Sequence, residues 1–175
     1  MKLIRSRPSR PRPDRAYVVD SAQAVTVDHY DYRGLADVGD DVIQLDWDIA
    51  VAKQDLREFA ARARCTPDRV LVAPYPIYPD TRPGLPGITW PFRRYVGPDR
   101  LRYVREGEPF CHLFGFGMVY LPRNLIAGFC ADHPDANFDD NAFAGWHYRN
   151  VREEVPIEWD IRPVHLNYDI GRLGL

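Results

Sequence analysis

With 175 residues, 45% of them hydrophobic and 27% charged, the chain is long enough to bury a sizeable core within one domain. Its three cysteines, Cys65, Cys111 and Cys130, are odd in number and form no C-x-x-C pair, which argues against a disulfide framework or a zinc knuckle. The formal net charge of −2 hides an uneven distribution, because residues 1–15 hold six basic groups against one acid and leave the remainder acidic.

The start of the chain, Met1-Lys2-Leu3-Ile4-Arg5, is basic but leads into no apolar h-region, and no later run is long enough to cross a bilayer. A protein of the cytoplasm without a membrane span is expected. Residues 1–15 read as an extended basic tail, since Pro8, Pro11 and Pro13 deny a helix and Arg5 to Pro13 offers no apolar side chain to dock. Such a tail either touches an acidic surface or serves as a solubilising or intersubunit arm, as in a homo-oligomer. Nucleic acid is not the expected partner, because the body has no second basic, aromatic-interleaved stripe to extend the footprint.

Residues 16–175 read as a single domain. Ala16-Tyr17-Val18-Val19 and Ala24-Val25-Thr26-Val27 are rich in β-branched residues and predict short strands broken by Asp20-Ser21. A third strand, Val42-Ile43-Gln44-Leu45, exits at Asp46. Leu56, Phe59, Ala60 and Ala63 recur at helical spacing over Lys53 to Arg64, and Thr66-Pro67 stops that helix. Val70 to Ala73 is the next strand. From Pro74 to Pro109 prolines and aromatics, among them Tyr75, Tyr78, Trp90 and Phe92, predict a long irregular loop. Phe110 to Leu121 is apolar throughout and predicts a buried strand whose Gly115 and Gly117 admit another backbone or a ligand. Pro122 to Cys130 predicts a helix with proline in its first turn, and Asn137-Phe138-Asp139-Asp140 caps a second through Phe143, Trp146 and His147. Ile157-Glu158-Trp159 and Val164-His165-Leu166 are strand-like. The alternation predicts an α/β fold, a mixed and mostly parallel sheet flanked by helices, with ligands beyond the carboxyl ends of its strands.

Asp46-Trp47-Asp48 stands at such an end. On a strand both carboxylates share one face with the indole opposite, an arrangement suited to a hard cation that also takes diphosphate oxygens. Each candidate has a plainer reading beside it. The aspartates can be solvated carboxylates, Asp139-Asp140 a helix cap, His165 a satisfied core histidine, and Gly115 and Gly117 packing glycines.

Taken in order, Asp46-Trp47-Asp48, Gly115-Phe116-Gly117-Met118, Phe138-Asp139-Asp140 and Val164-His165-Leu166 resemble the motifs of nucleotide-sugar glycosyltransferases with the GT-A fold. The resemblance covers roughly residues 40–170. It implies a metal, Mn²⁺ by preference or Mg²⁺, held by Asp48 with Asp46 and His165, and a nucleoside-diphosphate sugar as donor. Asp140 would then be the base that activates an acceptor hydroxyl, Asp139 would orient the acceptor, and transfer would invert the anomeric carbon. The family has a longer segment before its Asp-x-Asp, so Tyr17, Asp20 and Arg33 are the residues here left to contact base and ribose. Asp46, Gly115, Gly117 and Trp90 complete the expected donor site. The other class open at this point is a non-catalytic carbohydrate-binding or assembly module, for which the loop aromatics would serve equally well.

Overall fold

The computed structural model describes residues 1–28, 31–77, 90–98, 100–151 and 154–167. Tyr78, the greater part of the aromatic loop and the His29-Tyr30 pair lie outside them.

The chain enters the sheet at once. Strand β1 (Lys2–Pro8) lies parallel to β2 (Gln23–Val27) on one side and to β3 (Val42–Leu45) on the other. The tail expected over residues 1–15 is therefore corrected: only the segment after Pro8 lacks regular structure as far as β2. A lone buried charge is costly, yet Arg5 is 1% exposed because its guanidinium is engaged. Its guanidinium donates to the carbonyls of Asp46 (2.6 Å) and Ile49 (2.9 Å) and to Asp20 Oδ2 (2.6 and 2.9 Å). Pro8 ends the strand, where a missing N–H costs the ladder least. Ala16 to Val19, predicted as a strand, is extended coil tied to the next loop by Val18 N–H donating to Trp47 O at 2.9 Å.

After β4 (Ile49–Ala50) comes α1 (Lys53–Cys65), then β5 (Leu71–Val72). Further along the chain, β6 (Phe92–Tyr95) and β7 (Leu101–Tyr103) form a hairpin that the proline-rich reading missed. The single strand expected over residues 110–121 is three pieces: β8 (Phe110–Cys111), β9 (Leu113–Phe114) and β10 (Met118–Leu121). Helices α2 (Arg123–Asp132) and α3 (Asp140–Asn150) and strands β11 (Val155–Pro156) and β12 (Val164–His165) follow.

The principal sheet runs β2-β1-β3-β10-β5. Because β10 is antiparallel to both β3 and β5, two of its four pairings are antiparallel, so the sheet is mixed but not mostly parallel. Alternation along β3 and β10 builds a core on each face. Ile43, Leu45, Met118 and Tyr120 meet Phe59 and Ala63 of α1, whereas Val42, Val119 and Leu121 face Ile126 and Phe129 of α2 and Phe143 of α3. Helices thus cover both faces of an α/β fold, as expected.

One buried group makes this core sensitive to acid. His147 of α3 is 1% exposed among Phe114 and Phe143, and neither ring nitrogen has a hydrogen-bond partner among the described residues. Burial, aided by the Arg69 charge, lowers its pKa to about 4. Unfolding releases the ring to its ordinary value near 6.5, so the stability that neutral His147 preserves is whole above that value and lost as pH falls toward 4. We expect a loss of about 2 kcal/mol between pH 7.5 and pH 5 from this group. Urea unfolding at both pH values checks it: His147→Leu should flatten the difference, and an unchanged difference would assign the acid sensitivity elsewhere.

Candidate functional site

Asp46-Trp47-Asp48 forms a turn between β3 and β4, closed by Ile49 N–H donating to Asp46 O at 3.1 Å. It is not a continuation of the strand, and the indole is not opposite the carboxylates: Asp46, Trp47 and Asp48 all line one cleft of about 510 Å³. Arg5 clamps the turn from beneath through the carbonyls of Asp46 and Ile49. Asp46 Oδ1 accepts from Ser6 Oγ at 2.5 Å and from Trp47 N–H at 3.1 Å. Burial pushes the Asp46 carboxyl up to about 6 against the Ser6 hydrogen bond, and the Asp48 charge adds to the rise. The Asp48 charge thus disfavours ionisation of Asp46, a penalty that a bound cation reverses.

Strand β12 brings the late histidine to the same place. His165 pairs with Ile49 across the antiparallel β4–β12 ladder, and Leu166 N–H donates to Asp48 O at 2.8 Å. Asp48 is 4% exposed. Its Oδ2 lies 3.0 Å from His165 Nε2 and accepts from Asn167 Nδ2 at 3.0 Å. Its Oδ1 is buried with no hydrogen-bond partner among the described residues. An orphaned carboxylate oxygen beside an imidazole fits a divalent cation, whose remaining positions phosphate oxygens and water can fill. Among the described residues no three His, Cys, Asp or Glu side chains converge as a complete metal-binding group. Asp48 and His165, with Asp46 two positions before, are the residues that such a cation would have to draw on.

The remaining predicted residues divide. Tyr17 lines the cleft and packs its ring 4.7 Å from that of Trp47. Asp20 does not line it but binds Arg5. Burial opposes its ionisation, yet the hydrogen bonds and charge of Arg5 hold its carboxyl below the usual range. Arg33 opens a 3-10 helix (Arg33–Val38) and donates to the carbonyls of Pro134 and Ala136, fastening the loop between α2 and α3. Trp90 packs edge-on against Trp159 at 5.2 Å. None of Asp20, Arg33 or Trp90 is among the residues that line this cleft.

Gly115 and Gly117 do admit a neighbour, but the neighbour is Tyr75. A Cβ on Gly117 would overlap the Tyr75 ring, and one on Gly115 would lie 2.5 Å from its hydroxyl and 3.4 Å from Asp140 Oδ2. Gly117 N–H donates to the Tyr75 hydroxyl at 3.2 Å. Burial, then the charges of Asp140 and Asp46, hold the phenol well above its ordinary pKa, so it stays a neutral donor. Its ring also lies against His165, at a centroid distance of 5.9 Å. Tyr75 thus stands between the Asp48–His165 pair and Asp140. Asp139 is the N-cap of α3, its Oδ1 accepting from Ala142 N–H at 2.7 Å, as the plainer reading had it. We expect Gly117→Ala to destabilise the fold by about 2–3 kcal/mol, about 5–10 °C in Tm, because a buried, hydrogen-bonded ring must move. Calorimetry of the variant and of Tyr75→Ala/Gly117→Ala checks this: if Tyr75 is what the methyl strikes, the double variant costs less than the two single changes added together.

Sequence reasoning missed Arg5, Ser6 and Asn167, and had Tyr75 only as a loop aromatic suited to stacking on sugars. Their roles arise from contacts with residues 41, 40, 42 and 119 positions away, which no local pattern announces.

The fold and this cleft define an α/β protein with a mixed sheet, helices on both faces, and an acidic turn at a strand end. It is similar in fold to the crystal structure of A197 from STIV, with a TM-score of 0.55 and 12% identity over 94% of this chain and 85% of that one. No protein-family model and no curated protein matches the chain. No helix among the described residues is long and apolar enough to cross a membrane.

Proposed function

We propose that this chain is a metal-dependent glycosyltransferase of the GT-A type, moving a sugar from a nucleoside-diphosphate sugar to an acceptor hydroxyl with inversion. The observation that carries the reading is buried Asp48, its Oδ2 committed to His165 and Asn167 and its Oδ1 left without a donor, at the floor of a cleft of about 510 Å³. Asp48 and His165, with Asp46 beside them, would hold Mn²⁺ or Mg²⁺, and the bound ion would supply charge neutralisation for the departing diphosphate.

The other parts are residues of the chain itself. Arg5 and Ser6 keep the acidic turn in register, and Tyr75 separates the donor side from Asp140. Burial first, and then the Asp139 charge, raises the Asp140 carboxyl above the usual range, which suits a base taking a proton from a hydroxyl. Asp139, engaged as a cap, would act on the acceptor only through the position it gives Asp140.

The test is turnover across a panel of nucleoside-diphosphate sugars with Mn²⁺, Mg²⁺ or chelator, using water and simple glycosides as acceptors. Metal-dependent release of nucleoside diphosphate from at least one donor is expected. Absence of both turnover and metal-dependent nucleotide binding sinks the reading and leaves the carbohydrate-binding or assembly module.

A further inference from the structure

The cleft has a second wall that the acidic turn does not explain. Arg10, Arg12 and Arg15 line it as well as Asp48 and His165, together with Tyr17. Among the described residues Arg10 and Arg12 have no ion-pair partner, and Arg15 has only an exposed contact with Asp14 at 4.0 Å. The segment carrying them is stitched down at both ends. Ser9 N–H donates to Val27 O at 2.9 Å and its hydroxyl to Asp28 Oδ1 at 3.0 Å, while Val18 N–H donates to Trp47 O at 2.9 Å. Within it, Arg12 N–H donates to the Tyr17 hydroxyl at 2.6 Å. Asn167 exchanges hydrogen bonds with Ala16, at 2.9 and 3.1 Å, and also donates to Asp48 Oδ2 at 3.0 Å. One amide thus joins the basic strap to the proposed metal ligand.

A simple polyanion meets three carboxylates in this cleft, Asp28, Asp46 and Asp48, and a simple cation meets three guanidiniums. A ligand that carries both signs satisfies both walls. We propose that residues 9–17 are a built-in diphosphate strap: Arg10, Arg12 and Arg15 take the phosphate oxygens of a metal-chelated nucleoside diphosphate, and the Tyr17–Trp47 pair receives its base. This rests on the transferase reading and deepens it, by assigning donor contacts to a short N-terminal segment that lines the cleft, as Asp20 and Arg33 do not. Three guanidiniums beside one metal ion favour a diphosphate over a monophosphate, since the second phosphate gives the outer arginines something to grip.

The experiment is calorimetric titration of the full chain with UDP, GDP, ADP and dTDP, and with their monophosphates, each with MnCl₂ and at two salt concentrations. We expect at least one diphosphate to bind, and to bind at least tenfold more tightly than its monophosphate. Arg10→Ala/Arg12→Ala should weaken the diphosphate at least tenfold and shrink both its salt dependence and its advantage over the monophosphate, with partial recovery in Arg10→Lys/Arg12→Lys. These side chains are exposed, so unchanged Tm values are expected to accompany the loss. Unaltered affinity in the alanine variant, with Asp48→Asn abolishing binding, overturns the strap and leaves the transferase reading standing. Arginine-dependent diphosphate binding without turnover of any sugar donor supports the strap and overturns catalysis. Binding of a single-stranded oligonucleotide that needs no metal and is lost in the alanine variant, while diphosphate binding persists, assigns the arginines to nucleic acid and overturns the proposal.

Discussion

Asp48→Asn is expected to abolish metal-dependent turnover, lowering kcat/KM by about a thousandfold or more, the scale seen when a preorganised electrostatic stabiliser of a developing charge is removed. The substitution is nearly isosteric, and in the metal-free protein it takes a charge out of a site only 4% exposed, relieving the repulsion with Asp46. Its Tm without metal should therefore equal or exceed that of the wild type. The informative quantity is the rise in Tm on adding MnCl₂, which grows as ligand concentration exceeds Kd: at a hundredfold excess it corresponds to about 2.7 kcal/mol. The wild type should show the rise and Asp48→Asn should not. A variant that keeps the manganese-dependent rise places the cation elsewhere, and one that unfolds without metal makes Asp48 a structural residue first.

What could be read along the chain was whatever depends on neighbours in sequence. The helix Lys53–Cys65, the cap at Asp139 and the strand leading into Asp46 all follow from periodicity, capping chemistry and β-branched runs. Strand β1 was illegible for the opposite reason. Apart from Leu3 and Ile4 its residues are polar or proline, and Arg5 becomes a tolerable core residue only once Asp20, Asp46 and Ile49 surround it, 15, 41 and 44 positions on. A parallel strand takes its ladder from segments it cannot reach by a hairpin, so its own composition need not proclaim it. Strands β4 and β12 are two residues each, too short for a period, yet their pairing is what delivers His165 to Asp48.

The same correction changes the chemistry expected of the first residues. Read as a tail, they left only two short strands and the residues between them and β3 in front of the Asp-x-Asp. As observed, β1 supplies the clamp and the Ser6 hydroxyl beneath the turn, and the segment after it supplies one wall of the cleft. Basic composition with interspersed prolines was a correct observation joined to the wrong consequence. Proline forbids a helix there, but it does not forbid an ordered strap whose N–H groups find carbonyl, amide and phenol partners on Val27, Trp47, Asn167 and Tyr17.

Asp140→Asn carries the second large effect and separates chemistry from binding. If Asp140 is the base, kcat falls by about a hundredfold to ten-thousandfold, while the affinity for manganese and nucleoside diphosphate stays as in the wild type, because Asp140 lies beyond Tyr75 and outside the cleft lining. The sign of the pH dependence follows from its environment. Burial first, with the Asp139 charge added, disfavours the ionised form, so the pKa is raised. A base works ionised, so the rate rises with pH through that raised value and falls below it, which puts the acid limb above the ordinary carboxylate range. Asp139→Asn removes the charge contribution while its amide oxygen can still cap Ala142 N–H. It should shift the acid limb to lower pH and leave the plateau rate near that of the wild type. A plateau rate in Asp140→Asn equal to the wild type's would remove Asp140 from the chemistry and leave it as the residue packed against Gly115 and Tyr75.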